Sequence, residues 1–226
     1  MKAFLLAAGK GLRLRPFTNH IPKCLIKIKK KPLLSYWLNE LEKNNINKIF
    51  INTSYKSEKI HNYIRNHKNF NRIKILNEKK LLGTAGSLIK NINLFKDDNL
   101  ILIHADNFTK FPLSRLINAH KSRPEKCLIT MMIFNTNNPK TCGIVKLDED
   151  KIVTEFIEKP KKPKSNLANC AIYILSKNFF KTFEFKKNMY DFSLDVIPYL
   201  LGKIYTVKNN DKFYDIGHLK IYNKIK

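Results

Sequence analysis

The chain has 226 residues, 43% of them hydrophobic, enough for one substantial buried core of the size common in a single α/β domain. Its 43 Lys and Arg against 18 Asp and Glu give a formal net charge of +25, a field that gathers phosphate-bearing partners. No apolar run reaches the roughly 18–20 residues of a membrane-spanning helix, which leaves no membrane partner expected, and no cysteine pair has metal-ligand or disulfide-framework spacing.

The lysines are spread along the whole sequence among many Asn and Ile, with no zinc-finger spacing, basic zipper or arginine-rich arm. Nucleic-acid binding is therefore not expected as the main activity. Cys24, Cys127, Cys142 and Cys170 are expected as buried free thiols. The six histidines lack paired spacing, which argues against zinc.

Met1 to Ala8 superficially resembles the start of a secretory signal. Its apolar run is short, and Gly9-Lys10-Gly11 and Arg13 follow in place of a cleavage site. It reads as a buried first strand over Ala3 to Leu6, in a cytoplasmic protein. Apolar residues at helical spacing (Leu33, Leu34, Trp37, Leu38, Leu41) predict a helix. A strand over Lys48 to Asn52, a helix over Glu58 to Ile64 and a strand over Ile73 to Leu76 follow. Thr84 can cap a helix running to about Ile92, and Leu100 to Ile103 is a further apolar strand. This alternation predicts a mainly parallel sheet with helices on both faces. Beyond it, Cys127 to Phe134, Gly143 to Leu147, Lys151 to Ile157 and Ala168 to Leu175 are strand-like, with a turn at Asp148-Glu149-Asp150 and a Pro/Lys loop from Lys159 to Lys164. They predict a small antiparallel lobe. The expected fold is α/β, a Rossmann-like three-layer sandwich in one domain over 1–226, with halves of about 1–125 and 126–226.

Leu6 closes the first strand, and Ala7, Ala8, Gly9, Gly11, Leu12 and Arg13 directly follow it. Glycines let the backbone approach a ligand closely, the loop amides can point at an anion, and Arg13 supplies a fixed fork of donors for phosphate oxygens. Lys23 adds a second cation behind Pro22. There is no Gly-Lys-Ser/Thr, and Leu14 stands where a dinucleotide fingerprint needs its third glycine. Asp106 lies just beyond the strand Leu100 to Ile103, where ligands of open α/β sheets sit and where a carboxylate can hold Mg²⁺. Glu78 can accept hydrogen bonds from a base.

Leu6-Ala7-Ala8-Gly9-x-Gly11-x-Arg13-Leu14-Arg15-Pro16-x-Thr18 followed by Ile21-Pro22-Lys23 resembles the signature of the sugar nucleotidyltransferases. The likeness continues in order through Leu82 to Gly86, His104 to Asn107, Gly143 to Val145, Glu158 to Pro160, Asn169 to Tyr173 and Tyr214 to Gly217, covering almost the whole chain. The resemblance implies an enzyme that joins a nucleoside triphosphate to a sugar 1-phosphate with release of pyrophosphate, in nucleotide-sugar and cell-surface polysaccharide synthesis. It implies Asp215 as a second Mg²⁺ carboxylate beside Asp106, and Gly83 and Thr84 at the nucleobase. Lys159 would take the sugar phosphate, Glu158 a sugar hydroxyl, and Gly143 and Asn169 would complete the sugar pocket. Arg13, Lys23, Asp106 and Asp215 form the implied catalytic set. Cys24, Ala105 and Ala171 depart from the commonest pattern, where Pro, Gly and Gly are usual. The length leaves no room for the C-terminal β-helix of some relatives, and a homodimer is allowed. The Leu82 to Gly86 segment favours GTP and a mannose- or heptose-like sugar. Uridylyl or cytidylyl transfer, or a catalytically silent nucleotide-sugar-binding regulatory subunit, are the alternatives.

Overall fold

The computed structural model describes residues 1–68, 70–217 and 219–226. In chain order, β1 (Lys2–Leu6) buries Ala3, Phe4 and Leu5 completely, as its apolar run requires. A tight hairpin, β2 (Lys27–Ile28) and β3 (Lys31–Pro32), leads into α1 (Leu33–Lys43), whose buried face is the predicted set Leu33, Leu34, Trp37, Leu38 and Leu41. Then come β4 (Ile49–Thr53), α2 (Ser57–Arg65), β5 (Ile73–Asn77) and α3 (Gly83–Lys90). They are followed by β6 (Leu100–His104), β7 (Asn107–Thr109) and α4 (Leu113–Lys121). The remainder comprises β8 (Ile129–Asn135), β9 (Gly143–Leu147), β10 (Val153–Glu158), β11 (Leu167–Leu175), α5 (Lys177–Thr182), α6 (Phe192–Asp195), β12 (Ile204–Asn209), β13 (Phe213–Asp215) and α7 (Leu219–Asn223).

Two compact units are drawn from interleaved stretches of chain. The first takes residues 1–81, 102–110 and 213–226. Its strands β1, β4 and β5 are parallel, with Leu5 opposite Ile51 and Ile51 opposite Ile75. A separate apolar cluster joins Leu14, Ile26, Ile28, Leu33 and Phe108 to Ile216, Tyr222 and Ile225. β7 and β13 pair antiparallel, with Asp215 opposite Asn107.

The second unit takes residues 82–101 and 111–212. Here β8 pairs antiparallel with β11 and parallel with β12, and β9 pairs antiparallel with β10. β6 supplies Leu100 and Ile101 to this unit and Leu102 to His104 to the first. The fold is mixed α/β with a mainly parallel central sheet, as the alternating pattern predicts.

Some local expectations are corrected. Thr84 does not cap its own helix: α3 begins at Gly83 with Leu82 as its N-cap, and the Thr84 hydroxyl accepts from the Phe192 amide at 2.7 Å. Its hydrogen bond goes to a distant segment, which local sequence cannot show. Strands β7 and β13 are three residues each, too short to carry a pattern, whereas α4, with Leu113, Leu116 and Ile117 at helical spacing, and β12, with Ile204 and Thr206 buried in alternation, had a readable signal that the expectation above leaves out. Cys24, Cys127 and Cys170 are buried free thiols, whereas Cys142 is half-buried in the turn before β9. Among the described residues, no helix is long and apolar enough to cross a membrane.

Candidate active site

In the first unit, β1 delivers the chain into the loop from Ala7 to Gly11. The Ala7 amide donates to Asn52 Oδ1 at 2.6 Å, and Asn52 Nδ2 donates to Glu78 Oε1 at 2.9 Å. Gly11 has φ +63°, in the left-handed region. A Cβ there would stand 2.8 Å from Thr18 Cγ2 and 3.3 Å from Lys23 Cβ, so conformation and close approach both demand glycine. Thr18 Oγ1 donates to the Gly11 carbonyl at 2.8 Å, folding the loop back over a short 3₁₀ turn, Leu12–Leu14. Gly9 faces open space, leaving its backbone approachable. Leu12 is exposed and Leu14 is anchored in the apolar cluster.

Lys23 begins another 3₁₀ turn, Lys23–Leu25, behind Pro22, and its stem is buried. Its ammonium pairs with Asp106 Oδ2 and lies 3.6 Å from Asp215 Oδ1. Two carboxylates that are 109 positions apart in sequence meet because β7 and β13 form a short ladder, locked by Ile216 N donating to the Asp106 carbonyl at 3.1 Å. Trp37 Nε1 donates to the Asn107 carbonyl at 2.8 Å, tying that ladder to α1. Burial pushes the Asp106 carboxyl up; Lys23, then His104, together with hydrogen bonds from Lys23 and the backbone, outweigh it and hold the carboxyl below its ordinary value. Asp106 is therefore ionised at neutral pH. The neighbouring Cys24 thiol is pushed up to about 12, chiefly by burial, so it is not a nucleophile.

Gly217 keeps a gap between two charged groups. A Cβ at that position would lie 3.0 Å from Arg13 Nη2 and 3.0 Å from Asp215 Oδ1. The structure thus brings Arg13, Lys23, Asp106 and Asp215 into one neighbourhood beside the glycine loop, with opposite charges interleaved.

In the second unit, Gly143 faces Glu158 across the β9–β10 ladder. A Gly143 Cβ would be 2.7 Å from Glu158 Oε2 and 2.5 Å from the Phe156 ring, so the missing side chain makes room for the carboxylate. Lys159 Nζ is 3.3 Å from Glu158 Oε1, with the lysine well exposed. Asn169 Nδ2 donates to the Tyr173 hydroxyl at 2.5 Å, and its Oδ1 accepts from the Ala171 amide at 2.8 Å, inside an irregularity of the β11–β8 register. Gly83 has φ +73°, and a Cβ would collide with the Tyr190 carbonyl at 2.2 Å. Glu158, Lys159 and Gly143 are thus adjacent, while Gly83 and Thr84 are bound to the segment around Tyr190 and Phe192.

Sequence reasoning passed over Asn52, Trp37 and the separate role of Gly217. Asn52 carried a usable signal: a polar residue at the end of a buried apolar run, Ile49-Phe50-Ile51.

The Nucleotidyl transferase family matches residues 2–226. The chain is 32% identical over 222 residues to the bifunctional protein GlmU of Methanocaldococcus jannaschii, covering 96% of this chain and 51% of that protein. It is 31% identical over 192 residues to the probable mannose-1-phosphate guanylyltransferase 1 of Oryza sativa subsp. japonica, covering 82% and 53%. Its fold matches the structure of HddC from Yersinia pseudotuberculosis complexed with GMP-PN, with a TM-score of 0.80, 24% identity and coverage of 99% and 97%. The chain spans about half the length of the curated relatives it matches. The matched family and the ordered site residues agree: the chain belongs to the sugar-1-phosphate nucleotidyltransferase family.

Proposed function

We propose that the chain transfers a nucleotidyl group from a nucleoside triphosphate to a sugar 1-phosphate and releases pyrophosphate. The observation that carries this reading is the convergence of Lys23, Asp106, Asp215 and Arg13 beside a glycine loop whose backbone a ligand can approach. A sugar-phosphate oxygen is already nucleophilic, so no serine, cysteine or general base is needed. The obstacle is repulsion between two polyanions held in line. Arg13 holds the triphosphate tail, Lys23 offsets charge at the α-phosphate, and attack is direct, without a covalent enzyme intermediate. Lys159 and Glu158 take the sugar phosphate and a sugar hydroxyl, a role supported by the family resemblance.

The donor set fits a magnesium ion. Two carboxylates already favour positive charge at one place, where the Lys23 ammonium now lies, and Mg²⁺ needs only one or two carboxylates alongside water and phosphate oxygens. Asp106 and Asp215 would hold it. When bound, it supplies neutralisation of phosphate charge.

We favour GTP and a mannose- or heptose-like sugar. The Leu82 to Gly86 segment supports that choice, as does the name of the rice relative. The reaction would take place in the cytoplasm, where nucleoside triphosphates are made. The test is pyrophosphate release from a matrix of four NTPs and a panel of sugar 1-phosphates. GTP is expected to lead; UTP or CTP leading would reassign the base, and no release with any pair would mark a silent nucleotide-sugar-binding subunit. Arg13→Ala should lower turnover at least about 100-fold, the scale for losing one charge-stabilising donor, with little change in melting temperature. Unchanged turnover in that variant would remove Arg13 from the mechanism.

A further inference from the structure

The Asn52 carboxamide stands between the loop after β1 and the Glu78 carboxylate. Asn52 is 2% exposed and Glu78 5% exposed, so neither hydrogen bond described between them and the loop is shared with bulk water. A backbone N–H can only donate. The amide of Ala7 therefore fixes Oδ1 toward the loop and leaves Nδ2 for the Glu78 carboxylate. The main chain at Glu78 is held independently, because its amide donates to the Thr53 carbonyl at 2.8 Å beside the β4–β5 ladder. What Asn52 adds is the direction of the carboxylate and the position of the first loop amide. No other side chain of this length can accept on one edge and donate on the other: ionised Asp has no donor, and Ser, Thr and Ala do not span the gap.

We infer that Asn52 is a positioning residue that couples Glu78, as acceptor for the nucleobase, to the phosphate loop, so that base choice and seating of the triphosphate are one event. The inference rests on the proposed nucleotidyl transfer for the identity of the ligand. Its consequence is that base selectivity depends on a residue that need not touch the nucleotide.

The experiment measures equilibrium binding of GTP, UTP, CTP and ATP to the full chain, with inorganic tripolyphosphate as a probe that has no base. Asn52→Asp keeps the shape and the acceptor for the Ala7 amide but turns a carboxylate toward Glu78. It should cut the ratio of best to worst nucleotide Kd by about ten-fold or more and leave tripolyphosphate affinity within about two-fold. Asn52→Ala releases the loop as well, so it should weaken both the discrimination and tripolyphosphate binding. Glu78→Gln keeps an acceptor for Asn52; the double variant Asn52→Asp/Glu78→Gln should discriminate no worse than Glu78→Gln alone. Asn52 acting only as a structural prop would weaken all ligands alike and leave the ratio unchanged, and that result overturns the coupling. Should Asn52→Ala fail to fold, the isosteric Asp variant carries the same comparison. A wild-type chain that binds no nucleoside triphosphate would refute the proposed function itself, whereas intact discrimination in Asn52→Asp refutes the coupling alone.

Discussion

Gly11→Ala tests how tightly the glycine loop after β1 is built. The added methyl meets Thr18 Cγ2 at 2.8 Å, and the residue is held at φ +63°. The left-handed backbone costs an L-residue about 1–2 kcal/mol, and forcing an extra carbon into a filled space costs about 1–3 kcal/mol. Relief of the unfolded-state entropy of glycine returns about 0.5–1 kcal/mol, giving a net loss of about 1–4.5 kcal/mol. The two contributions can be separated. Thr18→Ser removes Cγ2 but keeps the hydroxyl that donates to the Gly11 carbonyl, and alone should cost about 0.8 kcal/mol for one buried methyl. In the double variant the collision is gone and the backbone cost remains. The double should therefore be about 1–3 kcal/mol more stable than the sum of the singles predicts. Urea midpoints at constant m-value measure all four corners of the cycle. Strict additivity would refute the steric account. The new Cβ would also press on Lys23 Cβ at 3.3 Å, so turnover should stay impaired in the double variant even as stability returns.

Two further predictions concern the second unit. Ala171 holds φ +52° next to the β11 irregularity, so Ala171→Gly should stabilise the protein by about 1 kcal/mol and raise Tm by about 2–4 °C, read by thermal unfolding; a lower Tm would show that the methyl contributes more than the backbone strain costs. His120 is buried, bonded through Nδ1 to Thr130 at 2.9 Å, and its pKa is lowered from 6.5 to about 3, by burial first and by Arg123 second. Its neutral form is the folded one, so the stability it contributes is complete above pH 6.5 and falls as pH drops toward 3, by no more than about 1.4 kcal/mol per pH unit. His120→Gln should flatten the fall in urea midpoint between pH 7 and pH 5, and equal losses in both proteins would exclude His120 as the cause.

Much of the first unit was legible because its elements announce themselves locally. The five apolar positions from Leu33 to Leu41 have only one periodicity, and helix α1 buries those five. The strand before Gly9 is equally plain. What local patterning could not show is convergence, which only the family resemblance implied for Asp106 and Asp215. Asp106 was legible from its place after an apolar strand, but its approach to Asp215 depends on a ladder of three residues on each side, too short to leave a pattern. Thr84 looked like a cap because its own sequence neighbourhood suits one, yet the amide it serves belongs to Phe192. Asn52 and Glu78 read as unrelated polar residues until parallel pairing of β4 and β5 set their side chains together. In the sequence Gly217 stands only as the end of a motif; the neighbouring Arg13 guanidinium and Asp215 carboxylate explain why a side chain is excluded.

The order in which the chain is threaded has a consequence during synthesis. The first unit draws on residues 213–226, which emerge from the ribosome only after residues 111–212 have done so. Until then Leu14, Ile26, Ile28 and Leu33 lack the covering side chains of Ile216, Tyr222 and Ile225, and Lys23 has Asp106 but not Asp215. A nascent chain paused before residue 213 therefore carries an open apolar face and half of its carboxylate pair, a form suited to chaperone capture.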